Sequence, residues 1–92
     1  MTVTEVLTAA TDSVNLINAI NSGTHLYTEK NQAELNVMVQ RNVDHLTTIL
    51  SYNHNPDDDT TMKGVPNIVD SSVDKSSYTA AITTGNAYIA AN

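Results

Sequence analysis

The sequence predicts an all-α fold, a small antiparallel three-helix bundle with a long acidic loop between helices two and three. Three stretches of the chain repeat apolar residues at helical spacing. Two prolines, a glycine and a run of aspartates separate the second stretch from the third, and no regular element is expected to cross them. With 92 residues there is room for one core, so we expect a single domain over residues 1–92.

The first helix is predicted over about residues 5–21. Thr4 is a suitable N-cap, and Glu5 would place a carboxylate at the positive end of the helix dipole. Gly23 is expected to end the helix, because glycine accepts the left-handed conformation common just past a helix terminus. The apolar stripe consists of Val6, Leu7, Ala10, Val14, Leu16, Ile17 and Ile20.

The second helix is predicted over about residues 29–51, with Thr28 preceding Glu29 as the cap. Its length suggests a spine that packs between the other two helices. Asn42 lies among apolar neighbours, so we expect it either in a buried polar contact between helices or at the rim. The predicted inner face contains Leu35, Met38, Val39, Asn42, Val43, Leu46, Ile49 and Leu50.

Residues 52–73 form the predicted loop. Asp57, Asp58 and Asp59 lack the ligand spacing of a calcium-binding loop, which favours a solvated acidic loop or the first turn of a short helix. The apolar residues Val65, Ile68 and Val69 indicate either a short extended piece or an anchor onto the helices. The anchor is favoured, because a lone strand has no pairing partner here.

The third helix is predicted over about residues 75–90, with Tyr78, Ala81, Ile82, Gly85, Tyr88 and Ile89 on one face. Ala81 and Gly85 lie four residues apart and leave a groove that the backbone of another helix can approach closely. The flanking tyrosines should then lie over the apolar seam with their hydroxyls at its edge.

Composition disfavours several classes of protein. The chain has 4 Lys and Arg against 10 Asp and Glu, and its net charge of -6 repels a phosphate backbone, so no nucleic acid is expected as a partner. The absence of cysteine excludes disulfides, a thiolate nucleophile and cysteine-ligated zinc. Only 15% of residues are charged, and such a weakly charged polar surface suits packing against neighbouring subunits, although a free monomer is the alternative.

The motifs indicate no catalytic residues, no metal site and no cofactor, so the chain is not expected to be an enzyme. His25, His45 and His54 lack the spacing of metal ligands, and His45 beside Asp44 is interpreted as a solvated residue. No serine lies in a nucleophile elbow, and no glycine-rich phosphate loop precedes a helix. With no long apolar run and no basic leader, we expect no membrane partner and a cytosolic chain, or one assembled from the cytosol.

Two segments carry a resemblance: Arg41-Asn-Val-Asp-His-Leu46, and Tyr78-Thr-Ala-Ala-Ile-Thr-Thr-Gly85-Asn-Ala-Tyr88-Ile-Ala-Ala91. Together they resemble small uncharacterised virion-associated proteins of tailed bacteriophages, cyanophages included, over roughly the second half of the chain. The long Asn-Pro-Asp-Asp-Asp loop departs from that pattern. The residues that carry over, as scaffold or interface candidates, are Arg41, Asn42, His45, Leu46, Tyr78, Ile82, Gly85 and Tyr88.

The resemblance implies a structural component of the virion, either a minor capsid or cement protein or a neck or tail protein. Its partners would be other virion proteins and further copies of itself, as a homo-oligomer or as symmetric copies in an assembly. The chain would pass from the host cytoplasm into the virion. The predicted interface residues are Arg41, Asn42, His45, Tyr78, Gly85 and Tyr88.

The runner-up is a small phage-encoded regulator that binds and occludes a host protein, with the acidic loop facing a basic surface. An acidic mimic of nucleic acid is a third hypothesis, although a net charge of -6 spread over the whole chain is low for such a mimic. The bundle hypothesis predicts that Leu46→Asp or Gly85→Leu prevents folding or assembly. It also predicts that neutralising Asp57, Asp58 and Asp59 leaves folding intact.

Overall fold

The computed structural model describes residues 3–51 and 74–92, with side chains from residue 5 onward. It contains helices α1 (Val3–Ser22), α2 (Gln32–Ser51) and α3 (Ser76–Ala91), and no strand lies in the described ranges. Every pair of helices is in contact. The predicted all-α three-helix bundle is therefore confirmed. The predictions for the acidic run and for Val65, Ile68 and Val69 lie outside the described residues.

Contacts between helices give the direction of each one. Midway along α1, Ser13 is hydrogen-bonded to His45 of α2, whereas Ile17, one turn later in α1, lies around Gly85 with Val39, which is earlier in α2. Gln32 at the start of α2 reaches Tyr88 near the end of α3. Each helix therefore runs antiparallel to the one before it, and α1 and α3 are parallel.

The three helices form a triangle in cross-section. We predicted a long α2 packed between the other two, but α1 and α3 contact each other directly, and α1 and α2 each have 20 residues. The prediction of a central spine is therefore wrong. A triangle is favoured because each amphipathic helix then buries its apolar stripe against two neighbours instead of one.

The core is almost entirely aliphatic. Ile17, Val39, Leu46 and Ile49 are its largest side chains with essentially no exposed surface. Tyr78 is the only aromatic residue among the buried hydrophobics of the described ranges. The remaining buried hydrophobics are Val6, Ala10, Val14, Ile20, Leu35, Val43 and Ala81. All twelve lie on the predicted apolar stripes, so helical periodicity alone identified these core positions.

Helix α1 ends as the sequence predicts and begins earlier. Gly23 has a φ of 77°, its N–H donates to the Ile20 carbonyl, and the Thr24 N–H donates to the Ala19 carbonyl. This pair of bonds is a Schellman motif, which satisfies carbonyls that the helix leaves unpaired. At the other end the helix begins at Val3, so Thr4 lies inside the first turn and is not the N-cap.

Helix α2 begins three residues later than predicted, and Thr28 is not its cap. The Asn31 side chain accepts a hydrogen bond from the Glu34 N–H at 2.9 Å, and the Glu34 carboxylate accepts one from the Asn31 N–H at 3.0 Å. This reciprocal capping box fixes the helix start because it satisfies two otherwise unpaired N–H groups. Thr28 and Glu29 instead lie in a turn in which the Lys30 N–H donates to the Tyr27 carbonyl.

Helix α3 begins at Ser76, within one residue of the prediction. Lys75 at the cap position makes no side-chain cap hydrogen bond. The Asp74 carboxylate replaces it by accepting the Ser76 N–H at 2.9 Å. Hydrogen bonds from the Ser76 side chain and backbone, together with the nearby Lys75 charge, lower the pKa of Asp74 below its usual 3.8.

Candidate interaction surfaces

Gly85 lies where the three helices meet. A Cβ atom built on it would lie 2.5 Å from Val43 Cγ2, 3.2 Å from Val39 Cγ1 and 3.4 Å from Ile17 Cγ2. The groove predicted at Ala81 and Gly85 is therefore present, but valine side chains fill it and not a helix backbone. Gly85 is one of the predicted interface residues, and in this fold it lies at a contact between helices of the same chain.

The two tyrosines of α3 differ in depth. Tyr78 is buried, and burial raises the pKa of its phenol, with a smaller contribution from the Asp74 carboxylate. Tyr88 is half-buried, and its hydroxyl accepts a hydrogen bond from Gln32 Nε2 at 2.8 Å. Tyr88 thus matches the prediction of a ring over the seam with its hydroxyl at the edge, whereas Tyr78 is part of the interior.

His45 was interpreted as a solvated residue, and that interpretation is wrong. Its ring is half-buried, and Nδ1 lies 2.8 Å from the Ser13 hydroxyl of α1. Ser13 is itself buried, with 3% of its surface exposed. The pair is a polar contact between two helices, and it satisfies a hydroxyl that would otherwise be buried without a partner.

Asn42 and Arg41 are neighbours on α2 that differ in exposure. Asn42 is half-buried, and its side-chain amide donates to the Met38 carbonyl of its own helix at 2.8 Å. Of the two predictions for Asn42, the rim position is therefore the one observed. Arg41 is exposed and lies in a groove on the outside of α2. Among the predicted interface residues, Arg41 is the most accessible to another molecule.

The α2 groove is shallow and has a volume of about 380 Å³. Val37, which is 48% exposed, and the partly buried Met38 form its apolar floor. Charged side chains of both signs surround that floor. The complete lining is Lys30, Asn31, Ala33, Glu34, Val37, Met38 and Arg41. An apolar strip with a charged rim has the composition of a small protein contact surface.

A second groove, of about 430 Å³, lies between α1 and the linker that follows it. Leu26 in this linker is 89% exposed, the most exposed large hydrophobic residue of the described ranges. The Tyr27 ring stacks on His25 with 5.9 Å between ring centroids, and the Tyr27 N–H donates to His25 Nδ1. The stacking and the hydrogen bond join the residues on either side of Leu26, whose side chain faces solvent.

The structure places the candidate residues in three groups. Tyr78 and Gly85 pack inside the bundle, whereas Arg41 is on the outside, and Asn42, His45 and Tyr88 are at the seams. Sequence reasoning missed Ser13 and Leu26. Ser13 had a signal, since it lies three residues after Ala10 and so falls on the apolar stripe. Leu26 had none, because linker composition does not give side-chain exposure.

The part of the chain that the structure describes contains neither a metal-binding cluster nor a membrane-spanning helix. Within these ranges, no cluster of three or more His, Cys, Asp or Glu side chains is placed to hold a metal ion. None of the three described helices is sufficiently long and apolar to cross a membrane.

Comparisons with protein-family models, with curated proteins and with solved structures gave no match. The resemblance to virion proteins therefore stays a prediction.

Proposed function

We propose that this chain is a structural component of a tailed-phage virion, a minor capsid, cement, neck or tail protein that acts through helix-mediated subunit contacts. The observation that carries the proposal is the exposure of two large apolar side chains, Val37 and Leu26, each in a separate shallow groove. Each groove places its apolar side chain among polar ones, and an apolar centre within a polar rim is the arrangement found at protein contact surfaces. Two separate surfaces allow one subunit to contact more than one neighbour.

The chemistry of the interior supports a binding role over a catalytic one. Among residues 5–51 and 74–92, the buried positions are aliphatic except for Tyr78, Ser13 and Gly85. The Ser13 hydroxyl is inaccessible to a substrate and is held by His45. An assembly subunit needs only a stable shape and complementary surfaces, which the bundle supplies.

The resemblance contributes the class of assembly. Arg41 and His45 belong to the resembling segment of α2, and Arg41 lies directly in the groove beside Val37. The partners proposed are other virion proteins and further copies of this chain, and the proposed location is the virion after assembly in the host cytoplasm.

Quantitative mass spectrometry of gradient-purified particles tests the function. We expect the chain in a fixed ratio to the major capsid protein, and the ratio would indicate a capsid, neck or tail position. Particles carrying Val37→Lys or Leu26→Lys should contain less of the chain, while Ala87→Lys, at an exposed position of α3 outside both grooves, serves as the matched control.

Absence of the chain from purified particles would overturn the proposal. If the chain were instead recovered from infected cells in a complex with one host protein, the regulator hypothesis would replace it.

A further inference from the structure

We infer that the outer face of α2 is a two-fold contact surface whose partner is a second copy of this chain, bound through its own α2 in the antiparallel direction. The inference rests on the proposed role as an assembly subunit and names one of its contacts. The surface, here called the α2 face, consists of Ala33, Glu34, Val37, Arg41 and Asp44 on the helix and Lys30 in the turn just before it.

The α2 face is available in the isolated chain. Each of its residues is exposed, and all but Asp44 line the groove around Val37. The helix residues recur at intervals of three or four, which places them in one stripe opposite the buried stripe of Leu35, Val39 and Leu46. Two such stripes can therefore meet without disturbing the core.

The order of charges selects the second copy and its direction. Around a two-fold axis at Val37, Asp44 lies two turns along α2 on one side of the axis, and Lys30, which lies in the turn just before α2 and lines the same groove as Val37, lies on the other side. The flexible Lys30 side chain of one copy therefore lies opposite Asp44 of the other. Arg41 lies opposite Ala33 and next to Glu34 of the other copy. Both opposite-charge pairs form twice in the dimer, since a two-fold contact repeats each interaction.

A parallel pairing would have the reverse effect. It would place Lys30 against Lys30, Glu34 against Glu34 and Arg41 against Arg41, and like charges at such positions repel. The apolar centre does not distinguish the two directions, because Val37 lies on Val37 in either one, so the charges decide.

The contact is expected to be weak outside an assembly. One helix face of about three turns buries less than the roughly 1,600 Å² of a standard stable interface. The net charge of -6 on each copy also opposes association at low salt. At about 0.15 M salt the screening length is roughly 8 Å, so the general repulsion weakens while the close pairs persist.

Sedimentation of charge-reversal variants at about 0.15 M salt, where the general repulsion is screened, tests the inference. Lys30→Glu and Asp44→Lys each convert two attractive pairs to repulsive ones, and each variant alone should dimerise at least about tenfold more weakly than the natural chain. An equimolar mixture of the two should recover dimers. In the mixed dimer, the acidic side chains at positions 30 and 44 of the Lys30→Glu chain each face a lysine of the Asp44→Lys chain. Neither change touches the Asn31–Glu34 capping box.

Two further variants separate this surface from others. Val37→Lys should abolish dimerisation, whereas Leu26→Lys, which changes the other exposed hydrophobic, should leave it intact. Circular dichroism verifies that all four variants remain helical.

The inference is overturned if the natural chain is monomeric throughout, or if the mixture fails to recover what the single reversals lose. The proposed virion role fails separately, through absence of the chain from purified particles.

Discussion

At the scale of single residues, Gly85 permits the close approach of the three helices. The nearest atom to an added Cβ is a methyl group of Val43, and a β-branched side chain on a helix has essentially one rotamer, so it cannot turn away. Val39 and Ile17 limit movement in the other directions. The absence of a side chain at position 85 is therefore a packing requirement, and the backbone conformation there is ordinary helix.

Gly85→Ala is expected to destabilise the bundle. Overpacking a core costs about 1–3 kcal/mol, and the gain in helix propensity returns only about 0.5–1 kcal/mol, for a net loss of about 1 kcal/mol. Urea denaturation measures the change in unfolding free energy. Val43→Ala in the same chain should relieve the clash, so the double variant should lose less than the sum of the two single variants. A Gly85→Ala chain more stable than the natural one would contradict the proposed packing.

Tyr78 gives the bundle a pH dependence in alkaline solution. The pKa of its phenol is raised above 10.0, mainly by burial, so the folded state favours the neutral ring. A raised pKa means that the contribution is complete below about pH 10 and is lost as the pH rises through the folded-state pKa.

Tyr78→Phe should therefore reduce the fall in unfolding free energy between about pH 8 and pH 11, a range that spans the titration of tyrosine. Tyr88→Phe, on the same helix and half-buried, is the comparison that should keep the fall. Equal pH profiles for the natural chain and the Tyr78→Phe chain would argue against this role.

The spacing of apolar residues could predict which side of each helix faces the core, but not which side chains are in contact there. Tyr78 and Gly85 were placed on the inner face because 3.6-residue periodicity gives the direction of each side chain. The Ser13–His45 contact was missed because it depends on how two helices are rotated against each other. Rotation is set by side-chain packing across the whole bundle and is not visible in either helix alone.

At the scale of elements, the ends of the helices are set by local hydrogen bonds. The capping box between Asn31 and Glu34 begins α2, and the Schellman motif at Gly23 ends α1. The short linker between them has its own internal bonds, including those of the Tyr27 turn. The α1–α2 connection is therefore a defined structure and not only a covalent tether.

Asn31→Ala should cost about 1 kcal/mol of unfolding free energy, because it removes the N-cap side chain of α2. Thr28→Ala, at the cap position that the sequence analysis predicts, should change stability by less than about 0.5 kcal/mol, because Thr28 is exposed in a turn. Thermal unfolding followed by circular dichroism compares the two. A larger loss for Thr28→Ala would move the start of α2 back to residue 29.

The start of α2 could have been predicted from the sequence. Asn31 followed three residues later by Glu34, just before Leu35, is the capping-box pattern. Thr28 offered a competing cap followed by Glu29, and the apolar periodicity of the helix begins only at Leu35. The reciprocal pair of bonds decides between them, since the residue three positions after Thr28 is neither Glu nor Gln.

At the scale of the whole molecule, folding depends on a small shared core. Leu46 has no exposed surface and lies among the largest buried side chains. Even truncation of such a leucine to alanine typically costs about 2–5 kcal/mol, which is comparable to the entire stability of a domain this small.

Leu46→Asp is therefore expected to abolish folding, because it adds an unpaired buried charge to the loss of apolar contacts. Val37→Asp, on the same helix but 48% exposed, should remain folded. Helical circular dichroism at about 25 °C, the reference temperature for these energies, distinguishes the two outcomes. A folded Leu46→Asp chain would show that the bundle register is wrong.

The fold class was predictable because three amphipathic stretches have few ways to bury their apolar stripes. The direct contact between α1 and α3 was not predictable from periodicity, because a stripe shows which side is buried and not which helix covers it. The two grooves could not be predicted from the sequence either, since they depend on linker geometry at Leu26 and on the exposure of Val37.

An odd number of helices has a mechanical consequence. Because α1 and α3 are parallel, Val3 and Ala91 lie at opposite ends of the bundle, about 30 Å apart for helices of this length. Tension applied between these two points would slide the helices lengthwise past one another, so all three interhelical contacts would resist together. In a bundle with an even number of helices the same tension would peel the first and last apart one turn at a time.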